Sequence, residues 1–189
     1  MFFDLTLPLS PSLAADAQGK EPKAFSGHLG THFDVMDQTF PLHYLERKGL
    51  VFDVRAAAHR EIDLSDITPD AIEAGMFVAF CTGFADRVGY GGREYFTQHP
   101  QLSHRLIRLL VEKRISILGI DGPGVRRGAE HPATDQFCAD HGVFVVENLC
   151  HLHTLLPLKG FTVHTYPMPW TGLTGLPCRV VAEGEVSPS

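Results

Sequence analysis

The sequence predicts an α/β domain. Three short apolar runs, MFVAFC (76–81), ISILGID (115–121) and VFVVENL (143–149), read as strands buried on both faces. Segments with helical spacing separate them, and that alternation marks the class. Loops rich in glycine and proline divide the elements, such as TGFADRVGYGG after the first run. A length of 189 residues fits a single domain over 1–189.

Residues 1–9 (MFFDLTLPL) read as a short strand ending at Pro8. Residues 10–24 are polar, with Pro, Gly and Ser, and read as a surface loop, either mobile or covering a site. After SGHLGTHFD (26–34) come FPLHYLERKG (40–49) and the strand-like LVFDVRA (50–56). Asp63–Asp66 and ITPDAIEAG (67–75) form a capped helical turn, with Thr68 as N-cap, Pro69 in the first position and Gly75 ending it. Residues 100–114 carry apolar side chains at 102, 106, 107, 109, 110 and 111, a helical spacing with Ser103 as cap. A short helix over 131–141 ends at Gly142, and FTVHTYP (161–167) and CRVVAEGEV (178–186) are two closing strands.

Composition removes several classes of function. Sixteen Lys and Arg stand against 22 Asp and Glu, a net charge of −6, with no basic run of the kind nucleic-acid binders carry. No apolar run reaches the roughly 18 residues of a membrane span. Met1 to Leu13 lacks the basic start and apolar core of a signal peptide, so a cytoplasmic location is expected. The four cysteines (81, 138, 150, 178) contain no CxxC pair and are expected to be reduced thiols. The unusual number is 11 histidines, because imidazole is the commonest metal ligand.

His28, His32 and Asp34 fall within H-L-G-T-H-F-D. Gly30, the β-branched Thr31 and the His32/Asp34 alternation favour a strand over a helix, so His32 and Asp34 share a face. Gly30 would bend the chain to bring His28 to them. Two imidazoles and a carboxylate suit a divalent metal such as zinc or manganese. The plainer reading is two hydrogen-bonded histidines beside a turn aspartate. In a second cluster, His131 and Asp135 stand one helical turn apart, and Glu147 lies inside an apolar strand. A carboxylate there needs a partner, either a metal or one of Arg105, Arg126 and Arg127. Asp121 ends a strand and either lines a site or caps a turn. His43, His59, His99, His151, His153 and His164 read as surface or satisfied histidines, and Cys81 as a core thiol.

With these pieces in order along nearly the whole chain, the protein resembles the cyclase family of metal-dependent hydrolases, which includes bacterial kynurenine formamidase and isatin hydrolase. FDLTLPLSP is similar to the family's opening strand, and SGHLGTHFD to its H-x-G-T-H-x-D motif, the most specific piece. Residues 80–83, YFTQHPQLS with ISILGID, VFVVENL and GLPCRVVA resemble further family blocks. The resemblance implies a swivelling β/β/α fold and one or two divalent ions, Zn or Mn. His28, His32 and Asp34 would be ligands, and Glu147 would bind a second ion. It also implies a homodimer or homotetramer acting on a small amide, formamide or lactam.

Two departures stand out. The family continues D-x-P-x-H, where the histidine moves a proton; here Met36 stands at the proline position and Gln38 at the histidine position. Asp37 and His43 are the substitutes at hand, neither in register. Twelve residues before Glu147, kynurenine formamidase has a metal-binding histidine; this chain has Asp135, with His131 one turn earlier. Either completes a second site, and a carboxylate there shifts preference from zinc toward manganese or magnesium. The expected function is an arylformamidase-like, metal-dependent amidohydrolase, an activity of tryptophan catabolism. The alternative is a non-catalytic, metal-dependent small-molecule binding protein of the same fold.

Overall fold

The computed structural model describes residues 1–10, 27–57 and 59–185; nearly all of the 10–24 loop expected from the sequence lies outside them. The expected α/β class forms, with the strands closed into a barrel. Strands β1 (Phe2–Asp4), β2 (His32–Asp34), β3 (Glu46–Asp53), β4 (Phe77–Cys81), β5 (Ile117–Ile120), β6 (Phe144–Glu147), β7 (Phe161–Pro167) and β8 (Gly175–Gly184) make one sheet. Its order is β1-β8-β2-β6-β5-β4-β3-β7, and β7 returns to pair with β8. Seven strands therefore close on themselves, and β1 hangs on β8. Closure removes the unpaired edges that an open sheet would expose.

The three apolar runs expected to be doubly buried are neighbours in the parallel part of the barrel, as β4, β5 and β6. Alternate side chains of β4 enter two separate cores. Phe77, Ala79 and Cys81 join Phe33, Val146, Val163 and Val180 inside the barrel. Val78 and Phe80 face outward onto Leu106, Ile107 and Leu110. Those three leucine and isoleucine side chains belong to a helix at His104–Glu112, capped by Ser103, whose side chain accepts from Leu106 N at 3.1 Å. That cap is the one expected from the sequence.

Several boundaries differ from expectation. The opening strand is only Phe2–Asp4, because Leu5 N turns to Val180 O and Thr6 bridges to Leu149. The turn at 67–75 shrinks to a 3-10 helix at Pro69–Ala71, with no side-chain hydrogen bond from Thr68; the capping box forms earlier, between Asp63 and Asp66. The glycine-rich loop after β4 contains a helix at Phe84–Val88, and a second follows at Arg93–Gln98. In chain order the helices are α1 (Phe84–Val88), α2 (Arg93–Gln98), α3 (His104–Glu112) and α4 (Glu130–Asp140).

Closure at β3–β7 leaves no room for a side chain at Gly49. It pairs with Phe161, and a Cβ there would lie 2.0 Å from the Phe161 ring. Gly49→Ala is expected to destabilise the protein by about 1–3 kcal/mol through overpacking. The melting temperature should fall by roughly 2–4 °C per kcal/mol for a chain of this size. An unchanged melting curve would show that the ring moves aside freely.

Candidate metal centre

Strand register builds half of the site. His32 lies directly opposite Glu147 in the antiparallel β2–β6 pair, and Asp34 opposite Val145. Directly opposed side chains share a face about 5 Å apart. Phe33, between the two, points into the barrel core, so His32, Asp34 and Glu147 face outward. All three are nearly inaccessible, at 3, 3 and 2 % exposure.

Helix α4 supplies the other half. His131 and Asp135 share one face at i, i+4. His131 Nε2 lies 3.1 Å from Asp135 Oδ2 and 2.8 Å from Glu147 Oε1. His28 arrives from the loop before β2. Its Nε2 is 3.3 Å from Asp34 Oδ1, its ring centroid is 4.9 Å from that of His32, and Thr174 Oγ1 is 3.4 Å from Nε2. Gly175 makes room for this ring: a Cβ there would come within 2.1 Å of His28 Cδ2. His32 Nε2 sits 3.6 Å from both Asp34 Oδ1 and Glu147 Oε2.

Two donor groups result, His28/His32/Asp34 and Asp34/His131/Asp135/Glu147, with ligand atoms of each group within 4.8 Å of one another. Asp34 belongs to both. An ion with ligand bonds of about 2.0–2.2 Å holds neighbouring ligands about 3.0–3.5 Å apart in tetrahedral or octahedral geometry. The observed spacings of 2.8–3.6 Å match. One imidazole nitrogen cannot donate one proton well to two carboxylates, yet His131 Nε2 faces two. Asp34 Oδ2 and Asp135 Oδ1 are buried and make no hydrogen bond, and Glu147 Oε1 has only this shared imidazole nitrogen beside it. Such oxygens are costly unless something else satisfies them, and the donor set fits a divalent cation.

The electrostatics follow from burial. Burial disfavours the charged form of His32, but the Asp34 and Glu147 carboxylates outweigh it and raise its pKa to about 9. His131 behaves alike: burial opposes protonation, Glu147 and Asp135 overcome it, and its pKa rises to about 11. Burial and then the Asp34 charge push the Asp135 and Glu147 carboxyls upward. Burial also opposes ionisation of Asp34, but the imidazoles around it, His32 first, hold its carboxyl below the usual range.

All six metal-ligand candidates from the sequence are thus brought together: His28, His32, Asp34, His131, Asp135 and Glu147. The arginine alternative for Glu147 does not form. Arg126 instead pairs with Glu61 and Glu130, and the partners of Glu147 are His131 and His32. Asp37 and His43 are not members of the donor groups. Asp37 and Gln38 are exposed; Asp37 accepts from Gln136 Nε2 at 2.7 Å, and Gln38 Nε2 reaches Asp37 at 3.0 Å. His43 is exposed and packs edge-on against Tyr44. Asp121 serves a turn, accepting from Thr82 and from the Gly83 N–H. His99 is buried and satisfied, and burial pushes its pKa down to about 4. Thr174, Gly175 and Asn148 went unnoticed in the sequence; only the Glu-Asn pair ending an apolar strand offered a signal.

The family profile described as "Putative cyclase" matches residues 3–127. The chain belongs to this putative cyclase family. The family's fold appears in the solved structures it resembles. One is a potential metal-dependent hydrolase with cyclase activity, 24 % identical at TM-score 0.75, covering 96 % of this chain and 98 % of that one. A second is a predicted metal-dependent hydrolase from Bacillus stearothermophilus, at 23 %, 0.75, 96 % and 97 %. A third is isatin hydrolase A from Ralstonia solanacearum, at 19 %, 0.74, 96 % and 91 %. No curated protein sequence matches the chain significantly. Among the described residues, no helix is long and apolar enough to cross a membrane.

At neutral pH the metal-free His32 and His131 hold protons that must leave before Nε2 can ligate. Metal affinity is therefore expected to rise between about pH 6 and 9, with protons released on loading, which calorimetry in buffers of different ionisation enthalpy measures. Affinity falling over that range would contradict the arrangement. Stability of the metal-free protein should run the other way. The raised His32 pKa stabilises the fold fully below about pH 6.5, and that contribution is lost as pH rises through about 9. Melting temperatures across that window check the sign.

Proposed function

We propose that the protein is a metal-dependent hydrolase of amide-type bonds. The observation that supports this most is the convergence of three buried carboxylates and three imidazoles at ligand spacing, with Asp34 Oδ2 and Asp135 Oδ1 left without a hydrogen bond. We assign His28, His32 and Asp34 to one divalent ion, Zn or Mn. Asp34, His131, Asp135 and Glu147 are assigned to a second ion, and this oxygen-rich set favours manganese. A divalent ion supplies Lewis acidity: it lowers the pKa of water toward 7 and polarises a carbonyl oxygen.

The chain's own residues bind and orient. His28 and His131 are the two least buried members, at 19 and 20 % side-chain exposure, and mark the side from which a substrate reaches the centre. The buried faces of His32, Asp34, Asp135 and Glu147 exclude water behind it. The substrate class is a formamide or lactam carbonyl, in keeping with the resemblance to hydrolases that include isatin hydrolase. Arylformamides, as in the kynurenine formamidase step of tryptophan catabolism, and lactams are the substrate types within it. The same reading takes 1–189 as one domain of the swivelling β/β/α type, cytoplasmic, acting as a homodimer or homotetramer.

Proton delivery to the leaving nitrogen is the weak part. Asp37 is held ionised, chiefly by its hydrogen bond from Gln136, Gln38 has no titratable proton, and His43 lies against Tyr44. Rates should therefore depend steeply on the leaving group: activated lactams and arylformamides turn over, and simple alkylamides do so at least about a hundredfold more slowly, the smaller end of what losing a general acid costs. The test is turnover of such a panel by metal-loaded protein between pH 6 and 9, beside His32→Ala. Activity lost in the variant supports the reading. Ligand binding without turnover on any substrate would favour the non-catalytic binding protein, a reading that the missing proton donor also motivates.

A further inference from the structure

A second set of buried polar groups, outside the ligand set, converges on the Gly30 peptide. Gly30 has φ +65°, a left-handed backbone that suits glycine. Its carbonyl oxygen lies 2.8 Å from His32 Nδ1 and also accepts from Asn148 Nδ2 at 2.8 Å. Its N–H donates to Tyr90 Oη at 3.1 Å. Both ends of this peptide unit's neighbourhood are thus pinned by side chains from elsewhere in the chain.

Asn148 follows Glu147 directly and is itself left-handed, with φ +56°, a conformation asparagine tolerates better than most residues. It is 3 % exposed, and its backbone oxygen accepts from Thr31 Oγ1 at 2.8 Å. The Tyr95 hydroxyl, 1 % exposed as a residue, donates to Asn148 Oδ1 at 2.9 Å. The Gly30 carbonyl can only accept, so it fixes Nδ2 toward itself, and the Tyr95 hydroxyl then holds Oδ1 from the other side. The Tyr95 ring stacks on Phe84 with centroids 5.8 Å apart, which places its hydroxyl against Asn148.

The chain of bonds ends on the one carbonyl that His32 uses. An imidazole that gives its Nδ1 proton to a carbonyl keeps the Nε2 lone pair free. Nε2 is the atom 3.6 Å from Asp34 and Glu147. Resting on the metal-centre reading above, we propose that Tyr95 and Asn148 are positioning residues, which hold the Gly30 carbonyl so that His32 keeps its Nδ1 proton and aims Nε2 at the ion. The pair also ties the seating of α2, on which Tyr95 lies, to the ligand geometry.

The experiment compares full-length wild type, Tyr95→Phe and Asn148→Asp. Zinc affinity is measured by competition with a chromophoric chelator, and ligand geometry by the visible absorption of the cobalt-loaded proteins. Tyr95→Phe removes one hydroxyl and keeps the ring; Asn148→Asp keeps the size and the left-handed tolerance but turns a donor into an acceptor. Zinc affinity should fall about tenfold in the first and up to about 100-fold in the second. Both should show altered cobalt bands, and metal-free Tyr95→Phe, which leaves Asn148 Oδ1 without its donor, should melt a few degrees lower but stay folded. Should Asn148→Asp not fold, Tyr95→Phe decides alone. Wild-type affinity and an unchanged cobalt spectrum in folded Tyr95→Phe would overturn the inference and leave the metal centre standing. Absence of zinc binding by wild type would overturn both.

Discussion

Mutual repulsion among Asp34, Asp135 and Glu147 is the constraint the rest of the structure answers to. Each is at most 3 % exposed, and an isolated carboxylate is very costly to bury. Three imidazoles approach them, which lowers that cost but leaves Asp34 Oδ2 and Asp135 Oδ1 unmatched. Burial and like charge together drive Asp135 and Glu147 toward the protonated form. A divalent cation resolves all of these tensions at once, which is why a site so unfavourable in isolation can sit in a well-packed protein.

The barrel holds these groups in place by register rather than by loop conformation. A slip of one residue in the β2–β6 pair would turn Phe33 to the metal side and His32 and Asp34 into the apolar core. The alternation in HFD is therefore both a packing and a ligand pattern. Helix α4 sets His131 and Asp135 against β6 from the outside, and the two glycines at 30 and 175 admit the backbone turn and the His28 ring. Sites borne on strands and helices in this way are more exact than sites on loops.

The legible part of this was the part with short sequence spacing. His28, His32 and Asp34 lie within one motif, and Glu147 betrayed itself as a charge in an apolar strand. His131 and Asp135 were visible as an i, i+4 pair, although their service to the same centre as Glu147 depends on how α4 packs. Closure of the barrel was not legible, because it depends on the pairing of β7 with β3, which joins strands far apart in sequence, whereas β7 and β8 pair as neighbours along the chain. Helices α1 and α2 were hidden by the glycines around them. Thr174, Gly175, Tyr95 and Asn148 carry no local signal of their roles; tertiary contacts alone assign them. Gln38, at the motif's histidine position, and Asp37 and His43, its substitutes out of register, are all exposed.

Metal content tests the central claim most directly. Elemental analysis by inductively coupled plasma mass spectrometry, on wild type beside His32→Ala, needs no guess at the substrate. Two donor groups sharing Asp34 predict one to two equivalents of zinc or manganese in wild type, and loss in the variant of the equivalent that His28, His32 and Asp34 hold. A wild-type protein that retains neither ion after incubation with excess Zn²⁺ or Mn²⁺ would contradict the account.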